Sequence, residues 1–201
     1  MNRSGSFLSR MEILDAAEQT LRRYGPGKAS VTDVAKLLGV SHGTLYRHFP
    51  SKAALREAVT ERWLEEKIVA PLAELAGSAA DNPLEQLHQY IVRLIELKVH
   101  YATQDYEMFR MYAAVTEEAA DLVEAHIERI ISQISIILNR GIEQGVILQL
   151  TGTTALARSV FHATARFHHP SHAYEWHSSS ISREFDELWS LLVRGLAATV
   201  K

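Results

Sequence analysis

Residues 30–52, Ser-Val-Thr-Asp-Val-Ala-Lys-Leu-Leu-Gly-Val-Ser-His-Gly-Thr-Leu-Tyr-Arg-His-Phe-Pro-Ser-Lys, restrict what this chain can fold into more than any other stretch. Ser30 and Asp33 stand at capping-box spacing, so each side chain can satisfy the other's orphan amide at a helix start. The short helix that follows is expected to bury Val34, Leu37 and Leu38. Gly39 suits the left-handed position after its last turn. Val40 is expected to pack inward and Ser41 to cap the next helix. In that second helix Leu45 and Phe49 point to the core, leaving His42, Thr44, Tyr46, Arg47 and His48 available. Phe49-Pro50 ends it, and Ser51 caps a third segment.

Two short helices on a tight turn form a prop and an insert, the geometry that sets one helix into the roughly 12 Å major groove of DNA. Ser41-His42-Gly43-Thr44 keeps the leading end of the insert small, and a helix amino terminus attracts phosphate. Tyr46, His48 and Lys52 are placed to hydrogen-bond backbone phosphates. Leu45 and Phe49 read as core only, Lys36 as a solvated charge, and Arg47 as balanced between contact and solvent. Charge agrees with this layout. The whole chain carries −3, but residues 1–52 hold eight Lys/Arg against four acids, or +4, which leaves −7 for residues 53–201. A basic head on an acidic body fits a nucleic-acid contact confined to one end.

The remaining pattern is helical. Leu8–Tyr24 places Ile13, Ala17 and Leu21 in line, and Gly25-Pro26-Gly27 stops it. From Lys52 a helix runs through Leu55, Val59, Trp63 and Ile68 until Pro71, which is expected to kink or end it. Asn82, Pro83 and Glu85 mark the next start, with Leu87, Ile91 and Leu94 as its stripe. A Met- and aromatic-rich segment covers Tyr106–Val115. Thr116, Glu117 and Glu118 are expected to open a long helix that ends near Gly145. Thr153–Phe167 and Ile181–Val200 complete an all-α chain. Residues 1–7 read as an arm; Arg3 could reach a minor groove, although a frayed terminus is the plainer reading.

With those residues in view, the run Val40-Ser41-His42-Gly43-Thr44-Leu45-Tyr46-Arg47-His48-Phe49-Pro50-Ser51-Lys52 resembles the signature of the tetracycline-repressor (TetR) family. The likeness extends back through Ala16-Ala17, Tyr24-Gly25 and Thr32-Asp33-Val34-Ala35, spanning about residues 10–60. Turn, core and phosphate-contacting positions agree along it. The resemblance implies an amino-terminal three-helix helix-turn-helix DNA-binding domain (1–52, with the arm 1–7) and a helical ligand-sensing and dimerisation domain (53–201). It further implies a homodimer that binds double-stranded operator DNA and answers to a small-molecule effector, most simply as a repressor. By position, Thr32, His42, Gly43 and Thr44 resemble groove-facing residues, with Ser41 and Arg47 beside them, while Tyr46, His48 and Lys52 match phosphate contacts. Tyr24 stands where phenylalanine is commoner, the loop from Gly25 to Ala29 departs from the usual short form, and Ala53 replaces a frequent acid.

For the body, the family architecture implies that the last two helices of each subunit pair across the dimer. Phe185, Leu188, Trp189, Leu192 and Leu196 form the expected interface stripe, with Trp189 as anchor. Tyr90, Leu94, Tyr101, Met108, Phe109, Met111, Tyr112 and Phe161 are the candidate lining of an apolar effector pocket, although such a stripe is also what plain core looks like. His162, His168, His169, His172 and His177, with Glu175, raise an alternative metal-responsive reading, but their spacing matches no standard metal site and Pro170 interrupts it. No cofactor is implied. No Gly-x-Ser-x-Gly elbow or phosphate-cradling glycine loop is present, so an enzyme is the remote alternative. The absence of cysteine excludes disulfides and thiolate sites. The lack of a signal peptide, and of an apolar run near the roughly 18 residues a membrane span needs, makes a cytoplasmic protein without membrane contact the expectation.

Overall fold

Four serines start the first four helices. Ser9, Ser30, Ser41 and Ser51 accept from the amides of Glu12 (3.1 Å), Asp33 (3.2 Å), Thr44 (3.3 Å) and Ala54 (3.0 Å). Each bond satisfies an amide that the first helical turn leaves without a partner. The computed structural model describes residues 8–198. The predicted arm 1–7, Arg3 within it, and Val200 lie outside those residues. The elements are α1 (Arg10–Tyr24), α2 (Val31–Leu38), α3 (His42–Tyr46), α4 (Lys52–Leu64), a π-helical turn (Glu65–Val69), α5 (Ala70–Gly77), α6 (Pro83–Gln104), α7 (Tyr106–Glu118), α8 (Ala120–Glu143), α9 (Thr153–Ala163) and α10 (Ile181–Leu196). Short 3₁₀ turns at Ala165–Phe167 and Pro170–Glu175 join the last two. The all-α expectation holds, and the extended backbone pairing among the described residues is an isolated bridge between Ile147 and Ala197. No helix among them is long and apolar enough to cross a membrane.

The amino-terminal unit packs Ile13, Leu14 and Leu21 of α1 against Val31 and Val34 of α2, Leu45 and Phe49 around α3, and Leu55 and Val59 of α4. Gly39 adopts φ 68° and lets the chain turn sharply between α2 and α3. Leu37 departs from expectation: it is exposed, while Val34 and Ala35 are buried and Leu38 is partly covered. One eight-residue helix with one supporting face cannot bury adjacent positions 34, 35, 37 and 38 alike.

The helix from Lys52 does not end at Pro71. A π turn widens it, with the Ala70 amide reaching the Glu65 carbonyl, and the chain continues through Pro71 to Gly77. Such a turn relieves the crowding between the proline ring and the preceding turn that otherwise breaks an α-helix. The Val69 carbonyl at this point accepts from Gln133 Nε2 at 3.1 Å. Thr116–Glu118 close α7 and do not open α8: Thr116 Oγ1 donates back to the Ala113 carbonyl at 2.5 Å, and Ala119 (φ −130°, ψ 76°) breaks the chain between the helices. The segment expected as one helix over Thr153–Phe167 tightens into 3₁₀ geometry after Ala163, and the last helix stops at Leu196.

The body is built on α6, α7 and α8, with α4, α5 and α9 packed around them; Tyr90, Ile91, Leu94, Ile130, Ile134 and Leu138 are among its buried centre. One carboxylate ties the amino-terminal helices to the body. Asp105, between α6 and α7, accepts from Arg22 of α1 through Nε (3.0 Å) and Nη2 (2.9 Å) and from Trp63 Nε1 of α4 (3.0 Å). Arg62 of α4 returns the connection, pairing with Glu18 and, at 2.7 Å, with Asp15 of α1.

Candidate functional site

Leu45 and Phe49, buried under α1 and α2, fix the rotation of α3, so the positions between them face outward. Ser41, His42, Gly43, Tyr46, Arg47 and Lys52 are exposed, and Thr32, Thr44 and His48 are partly covered. The structure therefore leaves the sequence-predicted residues open to solvent in whole or part, with Thr32 contributed by α2 and Lys52 by the first turn of α4. The Thr44 hydroxyl lies 3.0 Å from Ser41 Oγ and accepts from Arg47 Nη2 at 3.4 Å. His42 and Tyr46 meet edge to face with centroids 6.5 Å apart. Behind them Arg10 stacks over the Phe49 ring at 4.4 Å. Asp33 is held below the usual carboxylate range by its hydrogen bonds from Ser30, which keeps the α2 cap charged.

The residues expected around an effector pocket are found packed together. Tyr90, Leu94, Met108, Phe109, Met111, Tyr112 and Phe161 are buried, and Tyr101 is half-buried against the same core. Tyr112 lies 5.9 Å from Phe109 and 6.2 Å from Trp63, ring to ring. Phe161 belongs to a neighbouring layer, 4.7 Å from the His168 ring. Tyr90 donates to Gln133 Oε1 at 2.8 Å, and burial pushes its phenol up.

Sequence reasoning missed the polar centre of this core. Lys98 is 2% exposed. Its Nζ donates to Tyr112 Oη at 3.0 Å, lies 3.3 Å from His126 Nε2, and sits 4.1 Å from the Tyr112 ring centroid. Burial pushes the ammonium down to about 7. His126 is pressed well below its ordinary value by burial and then by Lys98, Arg129 and His168. The signal was present in the sequence: Lys98 occupies the next position of the Leu87-Ile91-Leu94 stripe, where a charge has no ordinary place.

On α10 the predicted interface residues divide. Phe185 is buried within the chain's own core, stacked on His88 (5.9 Å) and edge-on to Phe167 (5.3 Å), and Leu196 is buried where its carbonyl accepts from the Leu148 amide at 2.8 Å. Leu188, Trp189 and Leu192 are half-covered, whereas Leu191 is 67% exposed. The histidines of the metal-responsive alternative serve local structure. His168 is buried 3.2 Å from Thr164 Oγ1 and the Phe161 carbonyl, which leaves it pushed down to about 3, chiefly by burial. His169 accepts from the Ser171 amide, His172 pairs with Glu175 at 3.0 Å, and His162 and His177 are exposed. Among the described residues no three His, Asp or Glu side chains gather where they could hold a metal ion.

Comparison with known proteins agrees with this layout. Residues 83–189 match the model of the tetracyclin repressor-like C-terminal domain, and residues 13–59 match that of bacterial regulatory proteins of the tetR family. Among curated relatives, the chain is 28% identical over 193 residues to the nucleoid occlusion factor SlmA of Vibrio campbellii, covering 91% of this chain and 93% of that protein. It is 36% identical over 53 residues to the HTH-type transcriptional regulator TtgR of Pseudomonas putida, about a quarter of each chain (26% and 25%). Among solved structures, the regulator FadR of Bacillus subtilis in complex with stearoyl-CoA shares the fold, with TM-score 0.64 and 19% identity over 93% of this chain and 99% of that one. Carrying the family's DNA-reading head and its helical carboxy-terminal domain, the chain belongs to the tetracycline-repressor-like family of bacterial transcriptional regulators.

Proposed function

We propose that this regulator is a homodimeric, ligand-responsive repressor that leaves its operator when a small molecule occupies the body. In this reading Thr32, His42, Gly43 and Thr44 face base edges in the major groove, and Tyr46, His48 and Lys52 clamp phosphates, with Ser41 and Arg47 at the margin. Residues 1–52 act as the reader and 53–201 as sensor and dimer domain, with α4 as the beam that belongs mechanically to both. Leu188, Trp189, Leu192 and the exposed Leu191 form the α10 contribution to the dimer; Phe185 and Leu196 support it from beneath. A cytoplasmic location goes with double-stranded operator DNA as the partner.

One observation carries the proposal: Asp105 joins α1 of the reader and the shared beam α4 to the α6–α7 corner of the sensor through three hydrogen bonds. A change of packing around α7 must therefore act on the helix that positions α3. The same-fold FadR of Bacillus subtilis carries bound stearoyl-CoA, which supports a small-molecule effector for a body of this shape. Selection of binding sites from a random duplex library, followed by displacement with a metabolite library, tests the reading. A single enriched two-fold sequence released by a small molecule is the expected result. Uniform enrichment, or a complex that no compound disturbs, would sink it.

A further inference from the structure

The buried amine at the centre of the body is where the structure departs furthest from what a stable core requires. Lys98 lies in the interior of α6, and among the described residues its hydrogen-bonding partners are a phenol and an imidazole; no carboxylate pairs with it. An ammonium in this setting is costly, because a neutral hydroxyl and a tilted ring replace only part of its hydration. Leucine or methionine at position 98 would continue the α6 stripe at no such cost. Beside this amine Trp63 of α4 packs on Tyr112, with ring centroids 6.2 Å apart.

We infer that the effector is a small organic acid whose carboxylate seats against the Lys98 ammonium, with the Tyr112 hydroxyl and the His126 ring as its polar neighbours and the Trp63–Tyr112–Phe109 aromatics around its apolar body. The inference rests on the ligand-responsive reading above and names its ligand class. Charge count selects a carboxylate over a phosphate monoester. One buried cation neutralises one negative charge, and a dianion would leave the second uncompensated in an apolar interior. Pairing also restores the ammonium that burial has pushed down to about 7.

The contacts around Lys98 mark a place of entry and a path to the reader. A shallow indentation between α4 and α8, with room for about one water molecule and lined by Glu61, Leu64, Leu122, Ala125, His126 and Arg129, borders the imidazole that touches Lys98, so an acid enters only as these helices part. Arg129 stands at its edge, tethered by Glu65 (2.6 Å) and Glu61 (3.2 Å). The indentation lies beside the π turn at Glu65–Val69, a geometry frequent at functional sites. A carboxylate that draws Nζ from Tyr112 disturbs the ring against Trp63, and Trp63 shares Asp105 with Arg22 of α1. Binding at Lys98 thus acts on the reader through side chains in contact.

The full-length protein, wild type and Lys98→Met, is titrated with sodium butyrate, octanoate, benzoate and phenylacetate and with the matching primary amides. Thermal shift and release of selected operator DNA are the readouts. At least one acid should raise the wild-type midpoint and release DNA, its amide being about 10- to 100-fold weaker. Lys98→Met should keep operator affinity within about threefold and lose the response to that acid by a similar factor. Lys98→Gln serves if the methionine variant does not fold. Equal response to acid and amide, an unchanged response in the variant, or no response to any acid in the series overturns the inference. Release of wild type and variant alike by a neutral compound leaves the regulator standing and removes the acid. Failure of the wild type to select any operator removes the regulator itself, while an acid-specific shift lost with Lys98 would keep the site.

Discussion

Burial pushes both Lys98 and His168 down, and the sign of each effect on stability is fixed by which state takes up the proton. Lys98 is pushed down to about 7 in the folded chain against 10.5 when unfolded, so between those values the unfolded chain holds the extra proton. Stability therefore rises with pH across about 7 to 10, at a slope on the order of 1 kcal/mol per pH unit. His168, pushed down to about 3 from 6.5, contributes stability that is present above 6.5 and is lost as pH falls toward 3. Urea midpoints should accordingly climb from pH 7 to 9.5 in the wild type and stay nearly flat in Lys98→Met. A variant that kept the full slope would show that another group drives it. Asp105 makes a second case at this scale. In Asp105→Asn one amide oxygen can still accept from Trp63, but the bidentate pairing with Arg22 is lost. Arg22 is 42% exposed, so solvent screening limits the expected loss to about 1 kcal/mol. A larger effect belongs to communication: effector concentration for half-release should shift several-fold while operator affinity without effector changes little. Equal effector response in both proteins would show that Asp105 is a structural tie only.

The α2–Gly39–α3 unit was legible because each of its requirements is local: a cap, a left-handed glycine, two inward residues and an outward polar face within one short run. Leu37 was misread for the opposite reason, since which apolar residue of α2 is left outside depends on where α1 lies. Pro71 shows the same limit. Proline dictates that an ordinary α-helix cannot pass undisturbed, but the local sequence does not decide between ending and widening, and here the chain widens over Glu65–Val69 and continues. Lys98 stood in plain view within an apolar stripe, yet its meaning required Tyr112 and His126, fourteen and twenty-eight residues away. Within α3, the division into readers and clamps makes a direct prediction. Tyr46→Phe or Lys52→Ala should weaken operator and random duplex about equally and lower the salt slope by about one. Thr44→Ala should cost the operator about 1–3 kcal/mol and the random duplex far less. Its hydroxyl already touches Ser41 and Arg47, so an equal loss on both duplexes would assign Thr44 to the geometry of α3 and not to base reading.

At the scale of the whole molecule, a reader of five residues in α3 is too small to hold an operator alone, and two copies at fixed spacing convert two weak contacts into one. Among the exposed apolar residues, those on α10 lie where the proposed pairing would cover them. Helix α10 commits Phe185 and Leu196 to the subunit core and leaves Leu191 67% exposed beside half-covered Leu188 and Leu192. On α9, small side chains at Thr154, Ala155, Ser159 and Ala163 are exposed, and these permit close approach of a second helix. A leucine in water next to such a surface is stabilised by about 1.5–3 kcal/mol when a partner covers it, and two-fold symmetry counts it twice. Leu191→Glu places a charge at that seam in both subunits. The expected outcome is a monomer by light scattering at micromolar concentration, with the thermal midpoint of the isolated subunit retained. Operator affinity should fall by more than tenfold while single half-site binding persists. A Leu191→Glu protein that remains dimeric would move the interface away from this face of α10, and a wild type that is monomeric at that concentration would remove the paired reader altogether.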